Sequence, residues 1–150
     1  MDQEFALKAR NAAGEYFKQG FNCAEAVLKA YLDLLPGNFG PEVARFASVF
    51  GGGMGRSGCS CGALTGSELV LAMLTGRDSI DEKLDNIYSL AGMLHDRFDE
   101  KFGSTCCRVL NPGGDFESKD HLRRCLKITG GAAMILAEFL QEQNLVGETA

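Results

Sequence analysis

Apolar residues recur at helical spacing along almost the whole chain, and no stretch shows sustained β alternation. Phe5, Ala9, Ala12 and Tyr16, with Ala6, Ala13 and Phe17 beside them, predict a first helix over residues 2–19, with Gly20 as its stop. Asn22 is a good N-cap and Glu25 follows three residues later. A second helix therefore begins there, with the stripe Cys23, Val27, Ala30, Tyr31 and Leu34, and Pro36-Gly37 ends it. Pro41 in a first turn and the face Val43, Phe46, Ala47 and Phe50 predict a short third helix. Residues 51–58 read as a glycine-rich loop. A fourth helix starts near Ser60 or Cys61 and runs toward Leu74; its second half is apolar on nearly all sides, which predicts the central buried helix. Ser79 and Glu82 predict a capping box for a fifth helix with the stripe Leu84, Tyr88, Ala91, His95, Phe98 and Phe102, closed by Gly103. After the turn cluster Asn111-Pro112-Gly113-Gly114-Asp115, a sixth helix starts near Ser118 and runs toward Gln143. Leu122, Cys125, Thr129, Ala132, Leu136 and Leu140 share one of its faces, and Gly130-Gly131 marks either a break or a close helix crossing. The expected fold is all-α, a bundle of about five or six helices.

The 150 residues fit one domain spanning the chain. Composition is that of an ordinary water-facing domain, with 45% apolar and 23% charged residues. The net charge of −5 argues against nucleic acid or an anionic membrane surface as the main partner. The chain opens Met1-Asp2-Gln3-Glu4, without the basic start and apolar run of a secretory signal, and its longest apolar runs, 69–74 and 132–137, are far below the ~20 residues of a membrane span. A cytoplasmic location is expected. Thiols stay reduced there, and a cysteine cluster is more often metal-binding or redox-active than a disulfide scaffold.

The six cysteines are Cys23, Cys59, Cys61, Cys106, Cys107 and Cys125, and no two form a C-x-x-C. That spacing removes the local zinc knuckle, the ferredoxin run and the thioredoxin-type motif. A dispersed site remains. Cys23 and Cys61 each fall in the first turn of a predicted helix, where the helix dipole and unpaired N–H groups favour thiolate over thiol. The glycine-rich loop before Cys61 adds backbone N–H groups, and Arg56 adds positive charge. Cys125 divides evenly between core packing and chemistry. Cys59 and Cys106 read as spectators. His121 shares a face with Cys125, yet its place in a first turn favours a solvent-facing reading; His95, on the fifth helix's stripe, reads as a partly buried histidine rather than a ligand. Gly55-Arg56-Ser57 lacks the lysine of a phosphate loop, and no strand precedes it, so a nucleotide site is rejected.

The chain resembles the family of redox-active proteins named for a C-GCAxxG-C-C cysteine pattern. The matching residues are Asn22-Cys23-Ala24-Glu25-Ala26-Val27, Phe50-Gly51-Gly52-Gly53-Met54-Gly55, Cys61-Gly62-Ala63-Leu64-Thr65-Gly66, Phe102-Gly103-Ser104 with Cys107, and finally Cys125. The resemblance spans nearly the whole chain in order. It implies a small, mostly helical bacterial or archaeal protein whose four family cysteines are Cys23, Cys61, Cys107 and Cys125. It implies thiol redox or metal chemistry, with an iron–sulfur centre among the options, and leaves open which of Cys106 and Cys107 is functional.

The resulting expectation is a thiol-based redox or electron-transfer protein with an unidentified redox partner. Its four cysteines, at one end of the bundle, would either hold an iron–sulfur cluster or another soft metal, or cycle between dithiol and disulfide. The alternatives are a non-catalytic zinc-binding protein and a helical scaffold with inert cysteines.

Overall fold

The computed structural model describes residues 2–37 and 39–147. They form α1 (Gln3–Lys18), α2 (Cys23–Leu34), a 3₁₀ helix (Pro41–Phe50), α3 (Gly51–Met54), α4 (Gly62–Thr75), α5 (Asp85–Phe102), α6 (Cys107–Leu110) and α7 (Lys119–Glu142). Among the described residues there is no strand, only an isolated antiparallel bridge between Ser60 and Cys106. The fold is all-α as expected. The helix count is higher because α3 and α6 are single turns, too short to leave a 3.6-residue pattern in the sequence.

The helix ends follow local chemistry. The Asp2 carboxylate caps α1 by accepting from the amides of Glu4 and Phe5. At its other end Gly20 takes a φ of +112°, so that Phe21 N–H returns to the Tyr16 carbonyl and Gly20 N–H to that of Phe17. The capping box of Asn22 and Glu25 forms in both directions at α2. Ser118 caps α7 by accepting from His121 N–H. α7 runs unbroken through Gly130 and Gly131, which meet Arg10 of α1 and Phe102 of α5, so the glycines serve a close crossing.

Three sequence expectations are corrected. The third helix is 3₁₀, so its period is three: Ala44, Ala47 and Phe50 turn inward, whereas Phe46 lies largely in solvent. α5 begins at Asp85, not at Ser79. The Glu82 carboxylate instead accepts from Asp78 and Ser79 amides and closes a separate turn. The most buried residues of α5 are Leu90, Leu94 and Phe98; of the expected stripe Phe98 is buried and Ala91 and Phe102 pack against the core, whereas Tyr88 and His95 are exposed, and His95 pairs with Asp96. Burial in α4 concentrates in its first half, and the second half is only partly covered. α2 is the more deeply enclosed helix, with eight buried residues over its length.

The main core joins α1, α2 and α7 through Phe5, Leu28, Tyr31, Leu136 and Phe139. Tyr31 O–H donates to the Ala133 carbonyl at 2.7 Å, satisfying a phenol that is otherwise wholly enclosed. A smaller cluster of Cys23, Cys61, Ala63, Leu64, Phe98, Ile128 and Ala132 lies beside it.

α2 and α4 approach through glycine. A Cβ at Gly66 would stand 2.7 Å from the Ala24 carbonyl oxygen and 2.9 Å from its Cα, and a Cβ at Gly62 would stand 2.4 Å from Cys23 Sγ. The two glycines, one turn apart, form a groove that receives the first turn of α2. Gly66→Ala therefore forces backbone apart and should lower the unfolding free energy in urea by about 1–3 kcal/mol, despite alanine's better helix propensity. Gly92→Ala, on the exposed face of α5 with nothing within 4 Å, should raise it by about 0.5–1 kcal/mol. Equal effects of the two substitutions would contradict the close approach.

Candidate functional site

The N-termini of α2 and α4 meet where the groove seats one on the other. Cys23 is the first residue of α2, and Cys61 is the N-cap of α4. Both are nearly enclosed, at 9% and 5% exposure. The segment before Cys61 reaches this position through a run of positive φ: Gly52, Gly53, Met54, Gly55 and Arg56 all lie between 62° and 71°. Only glycine takes that region without strain, and Gly53 also has Cys107 Cβ and the Cys59 backbone against it. Two hydrogen bonds, Cys61 N–H to the Thr105 carbonyl at 2.7 Å and Cys107 N–H to the Cys59 carbonyl at 2.6 Å, then tie this loop to the one carrying Cys107.

Cys23 and Cys61 are neighbours at the joined helix ends, with Cys23 Sγ against Gly62, the residue after Cys61. The Cys61 thiol is the chief influence that lowers the Cys23 pKa to about 7, against the penalty of burial, and the amides of Gly52, Ala24 and Cys23 itself add to it. The same partnership raises the Cys61 pKa: Cys23 holds its proton in place, and burial works in the same direction, against the amides of Ala63 and Leu64. The two shifts run in opposite directions, Cys23 down and Cys61 up, so the pair favours holding a single negative charge.

Cys107 and Cys125 stand across from this pair. Both are pushed upward, chiefly by burial and then by the Cys23 charge, Cys125 to about 12. The side chain of Asn111, itself buried, works against both shifts from beside the thiols, and its Oδ1 accepts from Arg124 Nε at 3.2 Å. Cys125 Sγ is 3.2 Å from His121 Nε2. His121 is buried rather than solvent-facing, because the Phe116 ring packs against it edge-on at 4.9 Å. Burial lowers its pKa, with Arg124 adding to the effect, so a neutral imidazole faces a neutral thiol. The contact does not activate Cys125.

These groups line one cavity of about 530 Å³. Cys23, Cys61, Cys107 and Cys125 all face it, whereas Cys59 and Cys106 do not. Cys59 lies in solvent near Arg108, and Cys106 Sγ points at the Gly58 carbonyl at 3.3 Å. Of the adjacent pair 106 and 107, the second is the one at the cavity. One rim is Arg56 lying over the Phe116 ring. Asn111, Phe116 and Thr129 also line the space, and none of them stands out as a site residue in the sequence reading. Asn111 reads there as part of a turn cluster and Thr129 as core. The available signal is the spacing His121, Cys125, Thr129, four residues apart each time on one helix face.

A soft-metal centre would need three or four of these donors at one point, about 2.3 Å from a common ion for sulfur on zinc. Among the described residues no three His, Cys, Asp or Glu groups come together in that way. The donors surround a cavity instead, so the arrangement described here does not fit a metal or cluster. No helix is long and apolar enough to cross a membrane.

A protein of Archaeoglobus fulgidus, described only as uncharacterized, is 30% identical to this chain over 149 residues, covering 94% of this chain and 99% of that protein. No solved structure matches significantly. Residues 21–139 match the family described as "Putative redox-active protein (C_GCAxxG_C_C)", a span that begins just before the α2 cap and contains all four cavity cysteines. The chain belongs to that family.

Proposed function

We propose that the protein is a thiol–disulfide redox protein whose working dithiol is Cys23 and Cys61. The observation that carries this reading is the placing of both thiols at the joined N-termini of α2 and α4, on the wall of one cavity. A reactive thiol needs a populated thiolate at neutral pH, and the lowered pKa of Cys23 supports that role. A resolving thiol needs to sit within reach and stay protonated until its turn, and Cys61 does.

The chemistry balances with an electrophile that carries a weak S–S or O–O bond. The Cys23 thiolate attacks one atom of that bond; a new bond to sulfur forms, the weak bond breaks, and the leaving group departs with the electron pair and takes a proton. Cys61 then gives up its proton and attacks the Cys23 sulfur. The Cys23–Cys61 disulfide forms, and the second half of the electrophile leaves. Two electrons pass from the dithiol to the substrate. Cys107 and Cys125 line the same cavity as a second dithiol: exchange with the Cys23–Cys61 disulfide restores the first pair and leaves Cys107 and Cys125 joined. An iron–sulfur or zinc reading of the same four cysteines requires a convergence that the described residues do not make.

Alkylation by iodoacetamide, followed residue by residue with mass spectrometry, should modify Cys23 first, with a rate that rises with pH through an apparent pKa of about 7. Cys61→Ala removes the neighbouring thiol that chiefly lowers it, so that pKa should climb toward the ordinary thiol value of about 8.5. Cys59→Ser should leave it unchanged. A Cys23 profile indifferent to Cys61→Ala, or Cys61 reacting first, would contradict the assignment. Metal analysis of protein purified without oxygen should find far less than one zinc or iron per chain; a full equivalent bound to the cysteines would overturn the dithiol reading in favour of a metal centre.

A further inference from the structure

Resting on the dithiol reading above, we propose that the substrate reduced in this cavity is a small organic disulfide that carries a carboxylate, and that Arg56 at the rim binds that carboxylate. Arg56 lines the cavity and is exposed to solvent, with its guanidinium over the Phe116 ring at 5.8 Å. A guanidinium stacked on a ring keeps its in-plane N–H groups for a carboxylate. Among the described residues Arg56 forms no ion pair, whereas Arg97 pairs with Glu142, Arg108 donates to the Gly58 carbonyl and Arg124 donates to Asn111. Its backbone is held at a φ of +66°, a left-handed conformation that glycine would take without strain. The backbone there favours glycine, so what arginine adds is its side chain.

The packing of the glycine-rich loop places Arg56 beside the thiols. Gly51 stands against the residue before Cys23: a Cβ there would lie 2.8 Å from Asn22 Cβ. Gly53 stands against Cys107, where the corresponding distance to Cys107 Cβ is also 2.8 Å. Gly52 lies between them, and a Cβ on it would meet Arg56 Cγ at 3.0 Å and Phe116 Cε1 at 3.1 Å. The Arg56 stem and the Phe116 ring thus cover the one loop residue that separates the Cys23 side of the cavity from the Cys107 side. A volume of about 530 Å³ with apolar walls at Phe17, Phe116 and Ile128 admits a small organic molecule. The general field works against an anion, because Glu117 also lines the cavity and the chain carries a net charge of −5. A preference for an anionic substrate therefore needs a specific contact, and among the described residues Arg56 is the one arginine or lysine on the lining.

The Cys23 thiolate attacks one sulfur of the substrate. A mixed disulfide forms, the substrate S–S bond breaks, and one half leaves with the electron pair and takes the Cys61 proton. The Cys61 thiolate then attacks Cys23 Sγ. The Cys23–Cys61 disulfide forms, and the second half leaves as a thiolate that takes a proton from solvent. One dithiol and one small disulfide give one protein disulfide and two small thiols. Arg56 holds the carboxylate and takes no part in the electron transfer.

The test uses aliphatic disulfides of similar length on the reduced full-length protein: 3,3′-dithiodipropionate (anionic), bis(2-hydroxyethyl) disulfide (neutral) and cystamine (cationic). The second-order rate of Cys23–Cys61 disulfide formation is followed by alkylation and mass spectrometry, and each rate is divided by that of the same disulfide with dithiothreitol. Wild-type protein should prefer the anion to the neutral disulfide. Arg56→Gln should lower that ratio about fivefold, the effect of one ion pair at an open rim. Arg56→Lys should keep most of it, and added salt should bring wild type toward Arg56→Gln. Because the ratio is taken within one protein, partial unfolding of a variant cancels. An unchanged ratio in Arg56→Gln, or a wild-type preference for cystamine, would overturn the carboxylate assignment alone. Failure of every disulfide to oxidise the protein would overturn the dithiol reading on which it rests.

Discussion

α2 and α4 come closer together than two helices with side chains between them can. The groove made by Gly62 and Gly66 receives the Cys23–Ala24 turn, and that contact sets everything built above it. It places a sulfur at the start of one helix against a sulfur at the start of another. Either glycine, given a side chain, would push α2 away from α4 and part the two thiols. The family motif Cys61-Gly62-Ala63-Leu64-Thr65-Gly66 thus has a physical reading: one reactive group followed by the two gaps that bring its partner to it.

Electrostatics follow from that packing. Two helix N-termini converge on a pair of thiols that can hold one negative charge between them. The charge is favoured on Cys23, whose pKa is lowered by the Cys61 thiol and by the amides of Gly52, Ala24 and Cys23 itself. It is felt across the cavity, where it helps keep Cys107 and Cys125 protonated. One thiolate among neutral thiols gives a direction to the chemistry, with attack at Cys23 and resolution at Cys61. The left-handed turn through residues 52–56 is the backbone's contribution, since it aims the Gly52 amide at sulfur in a conformation that ordinary side chains avoid.

Much of this frame is legible in the sequence. Long stripes and good caps mark α1, α2 and α7 within a residue or two, since tertiary packing there agrees with local preference. Where the two part, the reading fails. Ser79 and Glu82 make a convincing box that closes a turn of its own, so α5 starts later than expected, and His95 turns to solvent although Phe98 and Phe102 of the same stripe face the core. The 3₁₀ helix hides because its period of three resembles a helical stripe over so short a span. Cys23 and Cys61 are legible from their helix starts, and Cys107 and Cys125 from the family resemblance. Asn111 and Thr129 are not, because a turn cluster and a core stripe account for them in the sequence and only the fold brings them beside the cavity. His121 is hidden by the Phe116 ring, which arrives from a loop with no periodic signal.

The central claim is the contact between two particular sulfurs, and oxidation followed by peptide mapping addresses it most directly. Reduced protein treated with one equivalent of diamide, then blocked and digested, should yield a single dominant cross-link between the peptides carrying Cys23 and Cys61. A first cross-link that joins other cysteines, or the absence of any intramolecular cross-link with Cys23 left free, would contradict the account.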